Sequence, residues 1–445
     1  MGFLFAFISC LLALSISLSA QAATFSVSPQ DDLQTILDST QSGDQVVLSE
    51  GIYLGNFTLS QAIELTGKTG AIIDAQNTGH AILIKATDVY VHGLRIQNWG
   101  TNLTNLDAGI FVSPKASNAR IENNYFQGGG SGIWVDASPD IKIINNNIEG
   151  DLSLRSSDRG NGIHLFNVKG ALAQNNEVWH TRDGIYIDTS NGNQLIGNYL
   201  HDLRYGVHYM YSYHNLIKDN FTQNTRTGYA FMQSKFLQVI GNRSKNDANY
   251  GILMNYITNS TIENNRVEGV QNARHPHMKK SVSRSNPEGK ALFIYNSLFN
   301  NFRNNLFADS DMGIHLTAGS EDNTLSGNAF IGNKQQVKYV ASRTQDWSHE
   351  GEGNYWSDYL GWDMDGDGIG DVQYEPNDGV DQLLWKYPSA KLLLNSPAVE
   401  TLRWVQRQFP VLTAQGVIDS HPLMIAPDFL MHSTGSLETT EIVKN

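Results

Sequence analysis

An asparagine recurs through this chain at Asn124, Asn146, Asn176, Asn198, Asn220, Asn242, Asn265, Asn305 and Asn328, in most cases 22 or 23 residues after the one before. The residue ahead of it is Asn, Gly or, once, Asp. A second column runs between these: Gly109-Ile, Gly132-Ile, Gly162-Ile, Gly184-Ile, Gly206-Val, Gly228-Tyr, Gly251-Ile, Ala291-Leu and Gly313-Ile. Self-similarity at this period means stacked repeats. Each unit is too short for a helix pair, and its alternating β-formers bounded by Gly and Asn fit one coil of a parallel β-helix. Such a fold turns sequence position into surface position, because residues one repeat apart lie about 4.8 Å apart on adjacent strands.

The chain has 445 residues, enough for two or three ordinary domains, but a solenoid of this length is one unit. Its 31 basic against 44 acidic residues give a net charge of −13, which argues against nucleic acid as a partner. Residues 3–19 are almost wholly apolar and lead to Ala20-Gln21-Ala22, the pattern of a secretory signal peptide over 1–22. No Lys or Arg precedes the run. A membrane anchor is the competing reading, for which the run is short. The single cysteine, Cys10, falls inside it, so the mature chain would have neither disulfides nor thiolate metal sites.

The pattern divides the rest into coils over 23–342, an acidic loop region over 343–385 and a helical segment with a frayed tail over 386–445. The expected class is all-β: a right-handed parallel β-helix, or pectin-lyase-like solenoid. Residues 31–38 read as a short amphipathic helix covering its open end. Within coils, pairs such as Ile163/Leu165, Ile185/Ile187 and Val207/Tyr209 alternate with polar or aromatic neighbours and should face inward. The Asn column should lie at turns, where Asn tolerates left-handed backbone and its amide can bond the next coil. The Asn interval stretches between Asn146 and Asn176 and again between Asn265 and Asn305, so these coils carry loops. The second loop holds His275, His277 and Met278, either metal ligands or a solvated loop. Asp363, Asp365, Asp367 and Asp371 resemble the first part of an EF-hand loop, with Tyr374 where the final Glu would stand. They are candidate ligands for a structural calcium, or an acidic turn. Ser396-Pro397 reads as a helix start, and Val399, Leu402, Val405 and Phe409 fall near one face that needs a partner surface.

The outward strand positions can be written coil by coil. One column reads Trp134, His164, Tyr186, His208, Ala230, Leu253, Phe293, His315; the next reads Asp136, Phe166, Asp188, Met210, Met232, Asn255, Tyr295, Thr317. His208 and Met210 then stand about 7 Å apart on one strand, with Met232 beside Met210 on the next coil. One imidazole and two thioethers suit Cu(I) and suit calcium or magnesium poorly. The competing reading is an apolar patch under a loop or partner. His164 and His315 are further copper candidates on the same column. Arg182, Arg204 and Arg226 form a third column, either salt-bridged internally with Asp183, Asp202 and Asp219 or lining a groove for an acidic polysaccharide. A polysaccharide lyase or epimerase would need clustered carboxylates, and no adjacent coils present two acids outward.

The stretches Leu203-Arg-Tyr-Gly-Val-His-Tyr-Met-Tyr-Ser212, Gly313-Ile-His-Leu-Thr-Ala-Gly-Ser320, Trp347-Ser-His-Glu-Gly-Glu-Gly-Asn-Tyr-Trp-Ser357 and Leu392-Leu-Leu-Asn-Ser-Pro397 closely resemble the NosD family, periplasmic proteins in the maturation of nitrous oxide reductase. The likeness runs from about residue 30 to His421-Pro-Leu-Met424. It implies a non-enzymatic periplasmic role in supplying copper to that reductase. It also implies partners: an ABC transporter of permease and ATPase subunits, a copper-chaperone lipoprotein, and the reductase itself. Membrane association would come only through those partners. The resemblance strengthens the copper reading of His208, Met210 and Met232, although those three come from coil geometry. A scaffold that binds no metal is the remaining alternative.

Overall fold

The computed structural model describes residues 22–272, 288–317, 319–340, 343–377, 387, 396–408 and 416–427. Its backbone is a parallel β-solenoid with three faces. One thirteen-stranded sheet runs from Thr24–Val27 to Thr324–Ser326. A twelve-stranded sheet runs from Phe57–Leu59 to Val337–Val340, and a second thirteen-stranded sheet from Gly51–Leu54 to Tyr355–Trp356. Ile163, Ile185 and Val207 stack in register and are fully buried, as the alternation predicts.

The two residues of each Asn-containing pair have different tasks. The first turns the chain in the left-handed region, at φ +53° for Asn145, +52° for Asn175 and +54° for Asp219, or is a glycine such as Gly197 at +64°. Asn, Asp and Gly are the residues that tolerate this conformation at least cost. The second residue points inward and is buried. Asn198 donates from both its backbone N and Nδ2 to Asn220 Oδ1, at 3.0 and 2.8 Å. Asn220 repeats this onto Asn242 at 3.0 and 2.9 Å, and its Nδ2 also reaches Leu195 O at 2.9 Å. The ladder runs unbroken from Asn124 to Asn354. The glycine column also has a steric cause: a Cβ on Gly184 would lie 2.6 Å from Gly206 O in the next coil.

Both ends of the core are closed. The helix Leu33–Ser39, capped by Asp32, buries Leu33 and Leu37 on the first coil. Gln34 and Thr58 fasten it there through a reciprocal pair of hydrogen bonds. At the other end, coil structure continues past residue 342. Tyr355–Trp356 pairs with Ala329–Phe330, and Asn354 carries the ladder one step further. The ladder then stops on a carboxylate from far along the chain. Asp419 Oδ2 accepts from Asn354 N, Asn354 Nδ2 and Trp356 Nε1 at 2.8, 3.2 and 2.8 Å. Val417–Ile418 adds a short parallel pairing with Gln345–Asp346.

A helix spans Pro397–Gln408, with Ser396 Oγ accepting from Val399 N at 3.4 Å. Val399 is buried, whereas Leu402 and Val405 are 50% and 39% exposed. Phe409, and the loop carrying His275, His277 and Met278, lie outside the described residues.

Candidate functional site

The strand pairings put the outward residues in the columns read from the repeat. Trp134, His164, Tyr186, His208, Ala230, Leu253, Phe293 and His315 are successive register partners on the twelve-stranded sheet. Phe166, Asp188, Met210, Met232 and Asn255 follow one another in the neighbouring column. Met210 and Met232 are thus direct cross-strand partners, both half-buried.

Facing outward does not here mean facing solvent. His208 is only 8% exposed. Its ring stacks on Tyr186 at 4.3 Å and meets Tyr205 edge-on at 5.0 Å. Its Nδ1 lies 3.0 Å from Asp183 Oδ2. Asp183 is itself buried and held by Arg204, whose Nε and Nη2 reach its two oxygens at 2.7 and 2.6 Å. Burial alone would raise the pKa of this carboxyl. The hydrogen bonds from His208 and Arg204 outweigh it, so the group titrates below the usual carboxylate range. A carboxylate on Nδ1 fixes the tautomer and leaves Nε2 with its lone pair. That atom is buried and has no hydrogen-bond partner among the described residues. The residue opposite His208 on the next coil is the small Ala230. An orphaned imidazole nitrogen near two thioethers fits a soft monovalent metal.

The other candidates do not join this group. His164 packs at a tilt against the far side of Tyr186, with ring centroids 4.6 Å apart. His315 lies four coils beyond His208 in the column, with Lys338 as its next register partner. Burial pushes both imidazoles down to about 3, so both are neutral at neutral pH. The arginine column is also not uniform. Arg204 is tied to Asp183, while the side chain of Arg182 makes no hydrogen bond or ion pair among the described residues. Asp136 and Asp188 are kept apart by Phe166, so the sheet has no paired-acid arrangement at those positions. In the acidic loop, Asp363, Asp365 and Asp367 bring oxygens within 4.8 Å of one another. Asp371 instead accepts from Met364 N, and Tyr374 turns away to donate to Asp358.

From the sequence Asp183 is only a salt-bridge partner of the arginines, and its hold on His208 emerges only in the fold. The one available signal was its place one coil before Tyr205, at the head of the strand pairing with that of His208.

A protein from Stutzerimonas stutzeri described as "Probable ABC transporter binding protein NosD" is 55% identical over 380 residues, covering 85% of this chain and 86% of that protein. The chain belongs to the NosD family. A NosD protein of the same description from Pseudomonas aeruginosa is 56% identical, covering 85% of this chain and 88% of its own length. The NosD family model, described as "Periplasmic copper-binding protein (NosD)", matches residues 144–361. That span contains His164, Asp183, His208, Met210, Met232 and His315, and ends just before Asp363. Among solved structures, a Yersinia enterocolitica family 28 exopolygalacturonase superposes with a TM-score of 0.56 at 11% identity, covering 73% of this NosD chain and 77% of the enzyme. This likeness is one of fold alone. Among the described residues no helix is long and apolar enough to cross a membrane.

Proposed function

We propose that this chain is a non-catalytic periplasmic accessory protein that receives or relays copper, as Cu(I), for the copper centre of nitrous oxide reductase. It works with an ABC transporter of permease and ATPase subunits and with a copper-chaperone lipoprotein. The observation that carries the proposal is the unpartnered Nε2 of His208 on a ring clamped by Asp183, beside the Met210–Met232 pair. The family description and the relatives' names support the copper and transporter parts.

Cu(I) titration against a competing chromophoric chelator tests this. Met210→Ala combined with Met232→Ala should lower affinity at least tenfold, roughly 1.4 kcal/mol. The melting temperature should stay nearly unchanged, since neither side chain is in the core. Equal affinity in parent and variant would place the metal elsewhere. Absence of Cu(I) binding by either would leave a scaffold that touches no metal.

The exposed side of the helix Pro397–Gln408 is the proposed docking face for the permease. Replacing Leu402 and Val405 by serine should abolish co-purification with the transporter while the solenoid stays folded. Undiminished co-purification would exclude this face. Calcium at Asp363, Asp365 and Asp367 would be a structural ion. Calcium takes six to eight oxygens, so these three acids need carbonyls and water to complete a shell. Equilibrium dialysis with calcium should show one site in the parent and none after Asp363→Ala.

A further inference from the structure

A second site lies one aromatic ring away from His208. Beside Tyr186, on its His164 side, is a cavity of about 180 Å³. Leu103 and Leu106 of the 100–107 loop line it, together with Arg159–Asn161 from the long coil between Asn146 and Asn176. Its floor is the outer face of the sheet at Trp134 and His164.

Four lining residues each carry a buried polar atom without a partner: Trp134 Nε1, Asn161 Oδ1, His164 Nε2 and Arg182 Nε. Native structures seldom leave one such atom orphaned, and four on one cavity mean that something polar belongs there. The chemistry of the four defines what. Indole and guanidinium nitrogens only donate. Asn161 Nδ2 lies 3.2 Å from His164 Nδ1, so the neutral ring accepts there and carries its proton on Nε2. His164 is more than nine-tenths buried, so the donor it presents is fixed in place. Three of the four atoms are therefore donors, and only Asn161 Oδ1 can accept, from a hydroxyl or a water.

The charge agrees. Arg159 and Arg182 both line the cavity, and none of its lining residues is acidic. The guanidinium of Arg159 is occupied by Leu154 O and His180 O, which leaves Arg182 as the uncommitted cation. Asp183, the next residue, is already taken by Arg204 and His208. A cationic, donor-rich wall repels a metal ion, which sets His164 apart from the copper group. The volume is below the roughly 300 Å³ at which pockets for larger organic ligands begin. It suits a tetrahedral or planar oxyanion with a water or two.

We infer that this cavity is a binding site for a small oxyanion, held by Arg182, Trp134 Nε1–H and His164 Nε2–H. Guanidinium and indole donors in a partly dehydrated pocket are the usual means of holding such an anion.

The test is calorimetric titration of the full-length protein with inorganic phosphate and, separately, sulfate, in chloride of matched ionic strength. Saturable binding of either anion is expected, and the stronger of the two identifies the preferred class. Arg182→Gln should weaken it at least tenfold. Trp134→Phe keeps the ring and removes the N–H, and should weaken it several-fold. Arg226→Gln, on the same column but outside the cavity, should leave it unchanged. Lack of saturable binding of both anions by the parent would mean a cavity filled by water only and would overturn the inference. So would binding that survives intact in both the Arg182 and Trp134 variants.

Discussion

Replacing Asn220 by alanine should cost this protein on the order of 3–5 kcal/mol, a large part of the 5–15 kcal/mol that holds a typical domain folded. The substitution removes the acceptor for two buried donors, Asn198 N and Nδ2, and the donor for Leu195 O. None of these groups can reach water in the native coil stack. Each orphaned group costs about 1–3 kcal/mol. Because each coil touches only its neighbours, the damage should also divide the solenoid into two halves that unfold less cooperatively. Urea denaturation with hydrogen exchange would read both effects. A loss below about 1 kcal/mol would mean that water or a shifted coil replaces the missing amide. Asn220→Asp keeps an acceptor for Asn198 and should fall between parent and alanine variant.

Asp183→Ala should damage two properties together. Breaking a buried ion pair by removing one partner costs about 3–5 kcal/mol, and because Arg204 is a quarter exposed the lower end of that range applies. His208 also loses the group that sets its tautomer, and losing such a support typically costs 10–100-fold in metal affinity. The Cu(I) titration of this variant should therefore weaken by that factor even though no proposed ligand has changed. The pH dependence has a definite sign. The folded-state pKa of Asp183 lies below its unfolded value. Its contribution is thus complete above about pH 4 and is lost as pH falls through the folded value. Parent and variant should differ fully at pH 7 and converge in acid. A constant difference at all pH values would show that the effect is packing and not the charge.

These two residues also mark what the sequence could and could not reveal. The outward columns were legible because a parallel solenoid makes every one-repeat neighbour a spatial neighbour, and Met210 does pair with Met232. The role of the Asn pairs was legible only in outline. The repeat placed them at turns, but not which member turns and which joins the ladder. Contacts between residues that are not one repeat apart left no periodic trace. Asp183 reaches His208 across 25 positions, from the head of one strand to the middle of the next. Leu103 and Leu106 come from an excursion of the chain outside the repeat, so the cover over His164 was invisible and an outward residue looked exposed. Asp419 closes the ladder from 65 positions beyond Asn354, and no periodicity points to it.

That last contact sets an order of events. The first coil has its helical cover within the leading part of the fold, so the stack is sealed at that end as soon as it starts. The opposite end has no such provision. When Trp356 pairs onto Phe330, the newest layer still presents the Asn354 backbone N–H and the Trp356 indole N–H with nothing to accept from them. They wait until the chain has run through the acidic loop and the helix and come back with Asp419. Until then the growing face is a template able to accept another strand, from this chain or from a neighbour. A chain delivered from its leading end would spend that interval with one sticky face, and the carboxylate that finishes the ladder is also what makes the stack finite.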